Sequence, residues 1–211
     1  MEKKNKTERI YRMFADLEVE KRADGDQEPE SYLVKGYATT FDDPYVIWEY
    51  DGIKYFEQID RNALNDADMT DVIFLYNHEG MVYARQKNGS LDITTDDHGL
   101  LVEADLSGTK AARDMYEAID SGLIDQMSFA FTVKDDELDR ETHTRIIHRI
   151  GKVFDVSAVS IPANPGTDIA AVSARSYFDG VIEAERAERL AREKALELAK
   201  AKYNYMEVKH D

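Results

Sequence analysis

Through roughly the first 160 residues, apolar and polar positions alternate in short runs with a period near two, the spacing of half-buried strands. Residues 9–19, RIYRMFADLEV, and 31–41, SYLVKGYATTF, are rich in β-formers. The charged stretch between them, EKRADGDQEPE, contains Gly and Pro and reads as a loop. YVIWEY and IKYFEQI follow, joined by Asp51-Gly52, a preferred hairpin centre because both turn positions need positive φ. DVIFLYNH (71–78) is apolar on both faces, as a central strand is. Two more strands are expected near 90–95 and 100–106, separated by Asp97-His98-Gly99. In GLIDQMSFAFTV (122–133), Met127, Phe129, Phe131 and Val133 share one face, while Ser128, Ala130 and Thr132 share the other. THTRIIHRI and KVFDVSAVSIPANPG complete the region with β-type sequence and a Pro/Gly stop.

Helical spacing is rarer. DRNALNDAD (60–68) predicts one short helix with Asp60 as N-cap. GTKAARDMYEAIDSG (108–122) predicts a second, capped by Thr109, with Ala112, Met115, Tyr116 and Ile119 as its stripe and Gly122 as its stop. After about residue 175 the chain turns Ala/Glu/Lys/Arg/Leu-rich, with no Gly or Pro beyond Gly180. Ala187, Leu190, Ala191, Ala195 and Leu198 form a narrow stripe, and Glu185–Arg189 and Glu188–Arg192 are favourable i,i+4 pairs. This is a long, mostly solvated helix, docked on its own domain or paired with another helix. Many strands and few helices predict an α+β fold: a mainly antiparallel β-barrel core, surrounding helices and a long C-terminal helix. The composition break divides the chain into a compact domain, 1–175, and a charged helical tail, 176–211.

Bulk properties narrow the function. The chain has 211 residues, 43% of them hydrophobic, enough for a core, and 33% charged, with a net charge of −16. Such a surface repels phosphate and anionic lipid, so neither nucleic acid nor membrane is expected as a direct partner. The absence of cysteine excludes disulfides, thiol nucleophiles and thiolate metal sites. No apolar run approaches the ~18–20 residues that span a bilayer, and MEKKNKTERIYRMF lacks a signal-peptide apolar stretch. A soluble intracellular protein is expected.

Three polar residues stand where a core prefers apolar ones. Ser128 leads the small-residue face of its strand, His78 ends the apolar run before Gly80, and Asp155 lies between Phe154 and Val156. Each alone has a plain structural reading, as a buried hydroxyl, a strand-end histidine or a solvent-facing carboxylate. Together they carry a chemistry. A serine hydroxyl becomes nucleophilic when a base within hydrogen-bond reach takes its proton. Histidine suits that task, and a third acceptor fixes its tautomer. Other candidates are poorer. His143 and His148, five apart on a strand, fall on opposite faces, and Val82 stands where NHEG would need its second histidine. DDELDRE (135–141) lacks calcium-loop spacing and reads as a solvated hairpin tip. No metal or cofactor is expected.

Five phrases in order, GYATTFDD, LYNHEG followed by ARQKNGSL, DDHGLLVEADL, ARDMYEAIDSGLIDQMSFAF and VFDVSAVSIPANPGT, resemble the prohead (capsid maturation) proteases of tailed phages over roughly residues 31–175. The resemblance implies the fold of the herpesvirus assemblin serine proteases, with His78 as base, Ser128 as nucleophile and Asp155 as the acidic member. Two departures stand out: the acidic position is more often Glu, and the Ala130 position more often Gly. Assemblins use a second histidine as third member, which keeps His148 as the alternative to Asp155. Its Gly content and position make the ANPGT loop, through the Gly166 backbone N–H, the candidate oxyanion donor. The implied function is a serine endopeptidase acting inside the assembling prohead, in the host cytoplasm, as a monomer or homodimer. It would cleave scaffold and capsid-precursor extensions and then itself, near the exposed junction at 173–181. Two rivals stay open: an inactive scaffolding or capsid-interaction protein on the same fold, and a general hydrolase of small esters.

Overall fold

The computed structural model describes residues 9–15, 17–19, 31–160 and 169–207. The strands are β1 (Ile10–Ala15), β2 (Leu17–Val19), β3 (Leu33–Thr40), β4 (Tyr45–Tyr50), β5 (Ile53–Ile59), β6 (Ile73–Tyr76), β7 (Glu79–Arg85), β8 (Leu91–Thr95), β9 (Gly99–Asp105), β10 (Gln126–Asp139) and β11 (Thr144–Val159). The helices are α1 (Lys110–Asp120) and α2 (Ile169–Glu207). The chain divides into two compact units, Met1–Ala171 and Val172–Asp211.

The fold is α+β, but the strands build two sheets rather than the expected barrel. One has the order β1-β10-β11-β5-β4, with β6 on β11 and β7 on β6; the other has the order β2-β3-β9-β8. Among the described residues neither sheet closes on itself. Most pairs are antiparallel, yet β11 takes two parallel partners in succession along its length. Thr144–Ile147 pair with Phe56–Ile59 of β5, and Asp155–Ala158 pair with Ile73–Tyr76 of β6. Local periodicity does not specify this arrangement, because the neighbours of a strand are chosen by distant chain.

The apolar face read from 122–133 is core: Met127, Phe129 and Phe131 are fully buried, and Val133 nearly so. A buried phenylalanine stabilises by about 1.5–3 kcal/mol, so this strand anchors the sheet. Helix α1 matches its pattern closely. The Thr109 side chain accepts the Ala112 N–H, and Ala112, Met115, Tyr116 and Ile119 are its buried residues. Gly122, at φ 72°, then redirects the chain toward β10. Asp51 and Gly52 both have positive φ, joining β4 to β5 as a two-residue hairpin requires.

Three expectations change. Residues 60–68 form successive turns instead of a helix, because Asp60 Oδ1 accepts the Asn62 N–H at 2.8 Å and competes with helical bonding. β10 runs through Asp139, so the hairpin tip is 140–143 and not the whole of 135–141. The long helix begins at Ile169, which makes 173–181 helical rather than an extended junction. The loop at 20–30 and Gly166 lie outside the described residues.

Candidate active site

His78 is presented by a tight turn. β6 and β7 are joined by Asn77-His78, with Tyr76 and Glu79 as the flanking pair. Both turn residues have positive φ, 49° and 63°, as a two-residue hairpin of primed type demands. Asn and His are among the side chains that tolerate this region best. The turn is fastened to the end of β11. The Asn77 N–H donates to the Ala158 carbonyl at 3.0 Å, and Asn77 Oδ1 accepts the Ser160 N–H at 3.3 Å. The His78 N–H donates to Ser157 Oγ at 3.2 Å.

Ser128 and Asp155 come from adjacent strands. In the β10–β11 ladder, Ser128 faces Ser157 and Ala130 faces Asp155. Directly opposed residues share a sheet face, so these four line the face opposite the phenylalanine core. That answers why this side of β10 is small. It holds a hydroxyl and a methyl where His78 and Asp155 must meet.

The structure brings the three sequence-predicted residues together. His78 Nε2 lies 2.6 Å from Ser128 Oγ, and His78 Nδ1 lies 2.6 Å from Asp155 Oδ1. Ser128 is fully buried and Asp155 is 3% exposed, while the His78 side chain, at 14%, reaches solvent. A carboxylate only accepts, so the network assigns the proton to Nδ1 and leaves Nε2 to accept the serine hydroxyl. Tyr11 of β1 packs against the imidazole, with ring centroids 4.6 Å apart at 64°. His148 does not join this group. Its ring faces Asp60 (Nδ1 to Oδ2, 3.6 Å) and Glu137 (Nε2 to Oε2, 3.5 Å).

One step along β1 from Tyr11, Arg12 pairs in the interior with Glu57 of β5. Arg145 of β11 also reaches Glu57, at 3.2 Å, and the Tyr45 hydroxyl donates to it at 2.7 Å. Burial pushes the Glu57 carboxyl up, but Arg12, Arg145 and the Tyr45 hydroxyl outweigh it and hold the group below its ordinary value. Burial, then Glu57, pushes the Tyr45 phenol well above its usual range. This cluster fastens β1 across the sheet. Alternation carried a signal for it: Glu57 lies in phase with Tyr55 and Ile59, all three buried.

Comparisons with known proteins give the chain its family. The chain is 27% identical over 173 residues to the prohead protease of Enterobacteria phage HK97, covering 82% of this chain and 72% of that one. The structure of the bacteriophage T4 capsid assembly protease is matched with a TM-score of 0.46 and 12% identity, over 74% of this chain and 99% of that one. A family model described as caudovirus prohead serine protease matches residues 16–179, and the chain belongs to that family.

Proposed function

We propose that this prohead protease is a serine endopeptidase in which Ser128 is the nucleophile, His78 the general base and Asp155 the residue that orients and charges the imidazole. The observation that carries the reading is the His78 ring, held 2.6 Å from Ser128 Oγ on one nitrogen and 2.6 Å from Asp155 Oδ1 on the other. As Ser128 Oγ adds to the scissile carbonyl, its proton passes to His78 Nε2. The imidazolium is stabilised by Asp155 and then protonates the leaving amine. Water, deprotonated by His78, releases the acyl group and restores the serine. Asp155 takes the third place in preference to His148, whose ring is engaged by Asp60 and Glu137.

The substrates are the scaffold and capsid-precursor extensions of an assembling head, and the protease itself, inside the prohead in the host cytoplasm. An assembled nucleophile, base and acid support an enzyme over a non-enzymatic scaffolding role. Wild-type protein and Ser128→Ala are each incubated with the capsid precursor, and cleavage on gels is read beside the thermal midpoint. Cleavage by wild type alone, at similar midpoints, is expected. Cleavage by Ser128→Ala at the wild-type rate would remove Ser128 from the mechanism.

A further inference from the structure

Strand alternation on β11 places Val156 and Ala158 in the core and Ser157, like Asp155, on the face with Ser128. Ser157 is fully buried. A buried hydroxyl needs partners, and among the described residues this one has three contacts, all with His78 or Asp155. It accepts the His78 backbone N–H at 3.2 Å, lies 3.2 Å from His78 Nδ1, and lies 3.1 Å from Asp155 Oδ1.

A hydroxyl has one proton to give. Ser157 Oγ accepts the His78 N–H, and the single Nδ1 proton is taken by Asp155 at 2.6 Å, so the hydroxyl's own proton goes to Asp155 Oδ1. The result is a closed circuit: the His78 main chain donates to Ser157, Ser157 donates to Asp155, and Asp155 accepts from the His78 ring. We propose that Ser157 is a positioning residue that, through this circuit, fixes the His78 turn and the Asp155 carboxylate as one unit. The inference rests on the assignment of Ser128, His78 and Asp155 above.

The circuit meets two needs. Asn77 and His78 both sit at positive φ, where a side chain is held only if its surroundings hold it. Asp155 Oδ1, in turn, must stay turned toward Nδ1, and the Ser157 hydroxyl at 3.1 Å is a second donor to that oxygen. Ser157 supplies both restraints from one atom. It is not a rival nucleophile, because it lies by Nδ1, which is occupied by Asp155, while Ser128 alone lies on Nε2 at 2.6 Å.

The test uses full-length protein and a fluorophosphonate probe, which reports how well Ser128 is activated without knowledge of the scissile sequence. Labelling site, maximal labelling rate and half-saturating probe concentration are measured for wild type, Ser128→Ala, Ser157→Ala and Ser157→Thr, with thermal midpoints. The far-downfield imidazole N–H proton is followed by NMR. For Ser157→Ala, misplacement of the base predicts a maximal rate lower by about 10–100-fold, half-saturation within about twofold, and a lost or broadened downfield proton. Ser157→Thr, which keeps the hydroxyl, should recover most of the rate. A Ser157→Ala protein with wild-type rate and an unchanged downfield proton would overturn the inference. So would a slowed one whose downfield proton persists, since Ser157 would then be only a packing residue. If Thr does not fit, the Ala variant decides alone. Failure of the underlying assignment looks different: wild type would be unlabelled, or labelled at a residue other than Ser128.

Discussion

Asp155 and Ala130 face each other across the β10–β11 pair, which sets the methyl of Ala130 on one side of the carboxylate that holds His78 and Ile73 of β6 in register on the other. Ala130 is fully buried. A valine there adds two methyl groups where imidazole and carboxylate meet, and overpacking of this kind costs ~1–3 kcal/mol. Ala130→Val should therefore lower the maximal rate of precursor cleavage at least tenfold, because the displaced groups are the reacting ones, whereas Ala130→Gly keeps the space open and should stay active. Steady-state cleavage beside the thermal midpoint checks this. An active Ala130→Val would show that the size of residue 130 does not matter.

The third member is tested by a pair of variants. Asp155→Asn leaves a donor where His78 needs an acceptor, and such a change favours the wrong tautomer, at a cost of up to about 10⁴ in rate. It should remain above Ser128→Ala. His148→Ala should change the rate less than about threefold, since its half-buried ring faces the Asp60 and Glu137 carboxylates rather than the His78 site, a position where substitutions cost little. The reverse ranking, with His148→Ala inactive and Asp155→Asn unaffected, would hand the role to the histidine.

What was legible in the sequence is what periodicity and local turn chemistry decide. Two faces of β10, the cap and stripe of α1 and the Asp51-Gly52 turn follow from spacing alone, and the three polar residues stood out by interrupting apolar runs. Tertiary pairing was not legible. Nothing in THTRIIHRI or KVFDVSAV says that one continuous strand would meet β5 with its first part and β6 with its last, and so the expected barrel became two sheets. DRNALNDAD has helical composition, but its Asp60 and Asp68 side chains accept nearby backbone N–H groups and hold it in turns. His78 looked like a strand end and is a turn residue, which explains how one ring reaches both β10 and β11. Ser157 blended into the alternation of its strand, and its role is visible only from its distances.

The Glu57 cluster makes a prediction about stability. Removing the Glu57 charge leaves the buried Arg12 guanidinium without the carboxylate it pairs with, and such losses cost ~3–5 kcal/mol. Glu57→Gln should lower unfolding free energy by that order in urea titrations at neutral pH. The pH dependence follows from the depressed folded-state carboxyl. Its contribution is fully present above the unfolded glutamate value, about 4.3, and is lost as pH falls through the lower folded value. The gap between wild type and Glu57→Gln should therefore be constant from neutral pH to about 4.3 and narrow below it. A gap that widens on acidification would contradict this reading of the cluster.

The proposed self-cleavage, if it falls at 173–181, requires a helix to open. A protease binds its substrate extended, and the backbone of α2 from Ile169 onward is already hydrogen-bonded. Cutting within SARSYFDGV requires local unfolding, and when opening is fast the rate follows the population of the open state. Gly180 sets that population. Glycine in a helix interior is about 0.8–1.0 kcal/mol less favourable than alanine, and a methyl built at Gly180 meets nothing within 4 Å. Gly180→Ala should thus stabilise the closed helix and slow self-cleavage in this window roughly fivefold, the factor that about 1 kcal/mol represents, without changing cleavage of the capsid precursor. Intact-mass spectra of aged wild type, Gly180→Ala and Ser128→Ala decide it. Fragments ending at 173–181 should build up fastest in wild type, more slowly in Gly180→Ala and not at all in Ser128→Ala. Equal rates in the first two would mean that helix opening does not limit the cut, and a wild-type chain that stays whole while digesting precursor would remove self-cleavage from its function.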